Sequence, residues 1–175
     1  MENTVIVFYS RTGTTRQVAE QLAAQLGAEV HEVRDVSSRA GLAGDVRCVV
    51  DNLLQRHVAY AYDGRPLAAY DQVVLLTPIW IGRLAAPMRS FLADQGRVQG
   101  RLAVVCLMAS RGAFNAIEEV ARLSGKVPQP VLALLQRQVQ TGEAREMLDG
   151  FVGQIAAAAQ ADGGARRAWL SPHEA

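Results

Sequence analysis

The sequence predicts an α/β protein built on a doubly wound, five-stranded parallel sheet. Five short apolar runs, at residues 5–9, 28–33, 72–77, 101–108 and 130–135, alternate with segments whose apolar residues recur at helical spacing. No long stretch between them lacks structure, so each strand–helix–strand unit can close by a right-handed crossover. The chain of 175 residues, 50% apolar and 20% charged, is long enough to bury one substantial core.

Taken in order, Val5-Ile6-Val7-Phe8-Tyr9 is a β-branched and aromatic run that reads as a buried strand. Val18, Ala19, Leu22, Ala23 and Leu26 then form the stripe of a helix with one buried face, closed by Gly27 as a C-cap. Residues 28–33 alternate like a strand with one face on a core, and 35–44 read as a loop. Val46, Val49, Val50, Leu53 and Leu54 keep helical spacing up to about His57, a residue expected to be solvated at the helix end. Residues 72–77 form a continuous apolar run ending at Pro78, the signature of a central parallel strand covered on both faces. A helix follows through about Gln95, then a fourth strand at 101–108, a helix at 114–124 and a fifth strand at 130–135. The closing helix is expected from about Glu143 to Ala159, with Met147, Leu148, Phe151, Val152 and Ile155 on its stripe. Gly163-Gly164 is expected to open a C-terminal tail, which gives one domain over 1–160 and a tail over 161–175.

Three loops follow strands one, three and four and therefore emerge at the carboxyl edge of the sheet, where ligands of such folds sit. The first, Ser10-Arg11-Thr12-Gly13-Thr14-Thr15, joins a buried strand to a helix N-terminus. Its hydroxyls, its glycine and the positive end of the helix dipole suit a phosphate. One N-cap needs one hydroxyl, and this loop has four. Neither Gly-Lys-Ser/Thr nor G-x-G-x-x-G is present, which points to a monophosphate ester. The second loop, Pro78-Ile79-Trp80-Ile81-Gly82-Arg83, puts a Trp just beyond a buried strand; the third is Ser110-Arg111-Gly112-Ala113.

This arrangement resembles the flavodoxin family, whose first strand runs into a Ser/Thr-x-Thr-Gly-x-Thr loop. Ser10, Thr12, Gly13 and Thr15 match that pattern, with Arg11 and Thr14 at its variable positions. Pro78-x-Trp80-x-Gly82 matches the family's aromatic loop, and Pro87 to Leu92 matches its Pro-x-x-x-Phe-Leu helix. The short interval after the fifth strand resembles the short-chain form. The resemblance implies FMN as cofactor, its phosphate in the loop from Ser10 to Thr15, the ring beside Trp80, and its pyrimidine edge against Ser110, Arg111, Gly112 and Ala113. It also implies electron transfer to a redox partner protein or a small-molecule acceptor.

Three uses of such a fold differ in what the chain should show. Carriers of the family are strongly acidic, whereas the net charge here is +1. That favours an NAD(P)H- or quinone-linked reductase over a one-electron carrier. The loops at 78–83 and 110–114 carry Arg83 and Arg111 and no acid, which agrees. A flavin-free binding module is the third use. A receiver domain would need an acidic cluster after the early strands, which Phe8-Tyr9-Ser10 and Thr77-Pro78 do not supply. No basic field for nucleic acid appears, no run of apolar residues reaches membrane-spanning length, and the first residues enter a strand directly. A cytoplasmic protein is expected. Cys48 and Cys106 read as core residues, and neither His31 nor His173 has a partner at metal-ligand spacing.

Overall fold

The computed structural model describes residues 3–36, 54–80, 82–109 and 112–170, with side chains described as far as Asp162. Its elements are β1 (Thr4–Phe8), α1 (Thr14–Leu26), β2 (Glu29–Glu32), β3 (Arg34–Asp35), β4 (Tyr60–Ala61), a 3₁₀ turn (Leu67–Ala69), β5 (Gln72–Trp80), β6 (Arg83–Leu84), α2 (Ala86–Gln95), β7 (Arg101–Met108), α3 (Ala113–Ser124), β8 (Val131–Leu135), α4 (Gln136–Thr141) and α5 (Ala144–Leu170). Five strands are parallel in the order β2-β1-β5-β7-β8, so the order reverses between β1 and β5. The doubly wound sheet predicted from the alternation is the one observed.

Strand alternation divides the core into two faces. Val5, Val7, Val73, Leu75, Val104 and Cys106 pack with Met88, Phe91, Leu92, Ala116 and Val120 of α2 and α3. Ile6, Phe8, Val74, Leu76, Val105 and Leu107 pack with Val18, Leu22, Leu148, Phe151 and Ile155 of α1 and α5. Both faces of the sheet are therefore covered, which is why its strands read as unbroken apolar runs.

Four local expectations change. Residues 78–80 are not a loop: β5 runs through Trp80, pairing Pro78 with Leu107 and Ile79 with Met108, and returns through β6. A proline is tolerated in this central strand because β1 has already ended. Leu76 C=O accepts from Tyr9 N–H on the β1 side, and by the two-residue period Pro78 faces that same side, where no ladder bond is required. Asp35 lies in β3, which pairs antiparallel with β4, rather than in a loop. Most of the helix expected up to His57 falls outside the described residues; Leu54 and Gln55 form a turn, and the His57 ring approaches Asp94 Oδ1 at 3.0 Å. Finally, α5 continues through Gly163-Gly164 to Leu170, where a tail was expected, and within it Met147 is exposed while Leu148, Phe151 and Ile155 are buried.

Candidate functional site

The register of β5 shapes the carboxyl edge. Its partner β1 stops at Phe8, opposite Leu76, while β7 accompanies it as far as Ile79. The last residues of β5 therefore stand past the end of β1 as a wall, with the loop to α1 in front of it. This is also the point where the strand order reverses, the place at which such sheets leave a crevice.

At that edge lies the N-terminus of α1. Gly13 is the N-cap, at φ 95°, and a Cβ built there would meet nothing within 4 Å, so the conformation rather than crowding calls for glycine. Gln17 N–H donates to Gly13 C=O and is the first bond of the helix, so the amides of Thr14, Thr15 and Arg16 precede it. The N-cap Gly13 has no side chain with which to cap them, no side chain among the described residues does so, and no acidic residue occupies the first turn. The positive end of the dipole is left to whatever binds.

The hydroxyls are not equivalent. Ser10 Oγ accepts from Gly13 N–H at 3.1 Å and so shapes the loop, while its own proton remains to donate. Thr12 is exposed, Thr14 half-buried and Thr15 buried at 3% exposure. Arg16 lies outside the cradle, because both Glu32 carboxylate oxygens accept from its Nη2 at 2.7 and 2.8 Å. Arg11 turns toward the wall, its guanidinium carbon 6.0 Å from the Trp80 ring centroid.

Trp80 closes the wall. Its ring meets Tyr9 edge-on at 5.8 Å between centroids, and Tyr9 Oη donates to Asp35 Oδ2 at 2.7 Å. Thus Asp35 and Tyr9 brace the indole from the side of β1 and β3. Of the other residues expected at the second loop, Pro78 and Ile79 are buried in β5, Gly82 forms the turn at φ 71°, and Ile81 lies outside the described residues.

The third loop is joined to the second through backbone. Gly112 has φ 113°, and a Cβ on it would come 2.5 Å from Gly82 Cα, closer than such atoms approach, so the contact requires glycine at 112, whereas at Gly82 it is the φ of 71° that favours glycine. Ala113 begins α3, while Ser110 and Arg111 lie outside the described residues. The structure thus brings the first and second loops together through Trp80, Tyr9 and Arg11, and the second and third through Gly82 and Gly112.

Several residues around the site escaped the sequence reading. Asp35 belongs to β3, although its stretch of sequence has the composition of a loop. Arg89 and Glu119, 6% and 8% exposed, form a buried pair behind the hairpin at 2.7 Å from Nε to Oε1. A charged residue standing among the apolar residues of each helix, between Met88 and Phe91 and between Ala116 and Val120, was the available signal. Among the described residues, no group of His, Cys, Asp and Glu could hold a metal, and no helix is long and apolar enough to cross a membrane.

No known family model matches the chain, and no curated protein matches it in sequence. Solved structures do match it. A Lactobacillus acidophilus flavoprotein in complex with FMN superposes with a TM-score of 0.63 at 17% identity, over 81% of this chain and 98% of that one. A Bacteroides uniformis protein gives 0.68 at 19% identity, over 80% and 96%. An NADPH-quinone reductase from P. pentosaceus gives 0.51 at 11% identity, over 87% and 96%. With five parallel strands in the order β2-β1-β5-β7-β8 and these neighbours along nearly their whole length, the chain has the flavodoxin-like fold.

Proposed function

We propose that this protein binds FMN at the carboxyl edge of β1 and β5 and serves as an NAD(P)H- or quinone-linked reductase. The observation that carries the reading is the uncapped, acid-free N-terminus of α1, set against the Trp80 wall at the point where strand order reverses. The donor set suits a phosphate monoester. The amides of Thr14, Thr15 and Arg16 would hold it, with the hydroxyls of Ser10, Thr12, Thr14 and Thr15 around it. Trp80 would lie beside the ring, and the turns at Gly82 and Gly112 would offer backbone groups to its edge. FMN, when bound, supplies the redox chemistry. The chain's own residues bind and orient: Ser10 keeps the loop folded on itself, Tyr9 and Asp35 hold the indole, and the wall of β5 keeps water from one side.

The direct test is an absorbance spectrum of protein purified without added flavin, then titration of apoprotein with FMN and with riboflavin. FMN binding well above riboflavin binding is expected. Protein that takes up neither is a flavin-free module, and the reading fails. Steady oxidation of NADPH in the presence of a quinone, absent without added FMN, separates a reductase from a carrier. The near-neutral charge supports the reductase, since a carrier that docks on basic partners would present a strongly acidic face. The P. pentosaceus neighbour makes NADPH and a quinone the first pair to try.

A further inference from the structure

The hairpin formed by the end of β5 and β6 is held from behind by a buried ion pair. Leu84 lies opposite Ile79 in the hairpin, and its two backbone groups are taken up by side chains of different helices. Its N–H donates to Glu119 Oε2 at 3.2 Å, and its C=O accepts from Arg89 Nη2 at 3.0 Å. Glu119 Oε1 in turn accepts from Arg89 Nε at 2.7 Å. One residue of β6, one of α2 and one of α3 thus close a ring of three hydrogen bonds, with both side chains less than a tenth exposed.

Such a pair is a poor source of stability. Its charges lose their hydration, and Arg89 Nη1 is buried with no hydrogen-bond partner among the described residues. Its geometry supplies direction instead. Glu119 belongs to the helix that starts at the third loop, Leu84 to the return of the second, and the backbones of those loops touch at Gly82 and Gly112. Fixing Leu84 relative to α3 therefore fixes Gly82 on Gly112, and with it the seat of Trp80 opposite Arg83.

We propose that Arg89 and Glu119 are positioning residues for the flavin edge: they lock the second and third loops into one unit. The part of this that concerns flavin rests on the FMN reading above, whereas the locking of the loops can be read in the protein without flavin.

The experiment uses the full chain with Arg89→Met and Glu119→Leu combined, which replaces a buried pair by apolar side chains of similar volume. The exchange relieves the desolvation of the pair but leaves Leu84 N–H and C=O without their side-chain partners, so a lower melting temperature with the fold retained is expected. Backbone hydrogen exchange in residues 82–85 and 112–116 should quicken by about tenfold, while the strand at 73–76 exchanges as in wild type. FMN and riboflavin affinities should fall together, by about tenfold, because the phosphate cradle is untouched. Glu119→Gln combined with Arg89→Met retains an acceptor for Leu84 N–H, with no Arg89 N–H left to oppose its amide NH2, and should recover part of the slow exchange. Local exchange equal to wild type in the double variant overturns the proposal, as does fast exchange with flavin affinity unchanged. Should the double variant not fold, Arg89→Lys decides: it keeps the charge but not the fork, so exchange at 82–85 as slow as in wild type overturns the lock. A wild-type protein that takes up no FMN overturns the functional reading instead, and that result comes from the wild type alone.

Discussion

At the scale of single residues, the cradle and the wall make different demands on a ligand. Replacing Thr12 and Thr15 together by Ala removes two hydroxyl donors near a charged oxygen, each worth about 1.5–3 kcal/mol if it binds there. FMN affinity should fall at least about tenfold and riboflavin affinity should hold, as measured by fluorescence titration. Thr15, being buried, also contributes packing, so a smaller loss for Thr15→Ser than for Thr15→Ala is expected. Equal losses for FMN and riboflavin would move the phosphate elsewhere. Trp80 is only partly buried and is held edge-on by Tyr9, so its removal should weaken both flavins alike. Aromatic stacking contributes about 0.5–1.5 kcal/mol beyond burial, and an adjacent indole quenches flavin emission. Trp80→Ala should bind more weakly and leave the bound flavin brighter. Tyr9→Phe keeps the ring but releases Asp35, and should show a smaller change in the same direction.

The elements show why the second loop was misread. A run of apolar residues ending in proline reads as a strand that stops, and the local reading is sound for a strand flanked on both sides. Here β1 ends four residues before β5 does, at the Phe8–Leu76 pair against Trp80, and the missing N–H of Pro78 faces no partner. The same logic predicts the sensitivity of the turns. Gly112→Ala would place a methyl 2.5 Å from Gly82 Cα at a φ of 113°. Strain of this kind costs about 1–3 kcal/mol. A lower urea midpoint and a weaker flavin complex are expected together, while Gly13→Ala, with open space around its Cβ, should feel only the φ penalty. Comparable urea midpoints for wild type and Gly112→Ala would mean that the two loops do not touch in solution. The length of α5 has a related origin. Glycine lowers helix stability by about 1 kcal/mol relative to alanine. The alanine-rich run before Gly163 extends a helix already anchored by Leu148, Phe151 and Ile155, so two glycines do not end it.

Across the whole molecule, burial sets the response to alkali. Desolvation pushes the Cys106 thiol up from 9.0 to about 12, deep between β5 and β8. Desolvation, with Asp94 beside it, raises Tyr60 from 10.0 to about 12. Both groups are neutral in the fold, and the unfolded chain ionises first. Their contribution to stability is therefore complete below about pH 9 and is lost as pH rises toward 12. Urea midpoints should fall between about pH 9 and pH 11, and Cys106→Ala should flatten that fall. A midpoint independent of pH over this range would contradict the burial of Cys106 and the pairing of the partly buried Tyr60 with Asp94. With Cys48 replaced by Ser, the remaining thiol should react with an aromatic disulfide reagent only when the protein unfolds.

What depends on neighbours along the chain is legible before any folding is considered. The apolar runs of β1, β5 and β7, the stripe of α1, the Gly13 turn and the hydroxyl loop before it are local patterns of period two or 3.6 and of backbone freedom. Their order alone predicted the doubly wound sheet and the edge at which three loops meet. The tertiary structure decided what depends on residues far apart. Asp35 reaches Tyr9 across 26 positions and Glu119 reaches Arg89 across 30, partners that no local pattern links. Whether a charged residue in an apolar helix faces water or a buried counter-charge depends on which helices flank which strand, and that is settled only when the sheet assembles. The contact of Gly82 with Gly112 has the same cause: each turn is an ordinary glycine turn until β5 and β7 stand side by side and leave no room for a Cβ on Gly112.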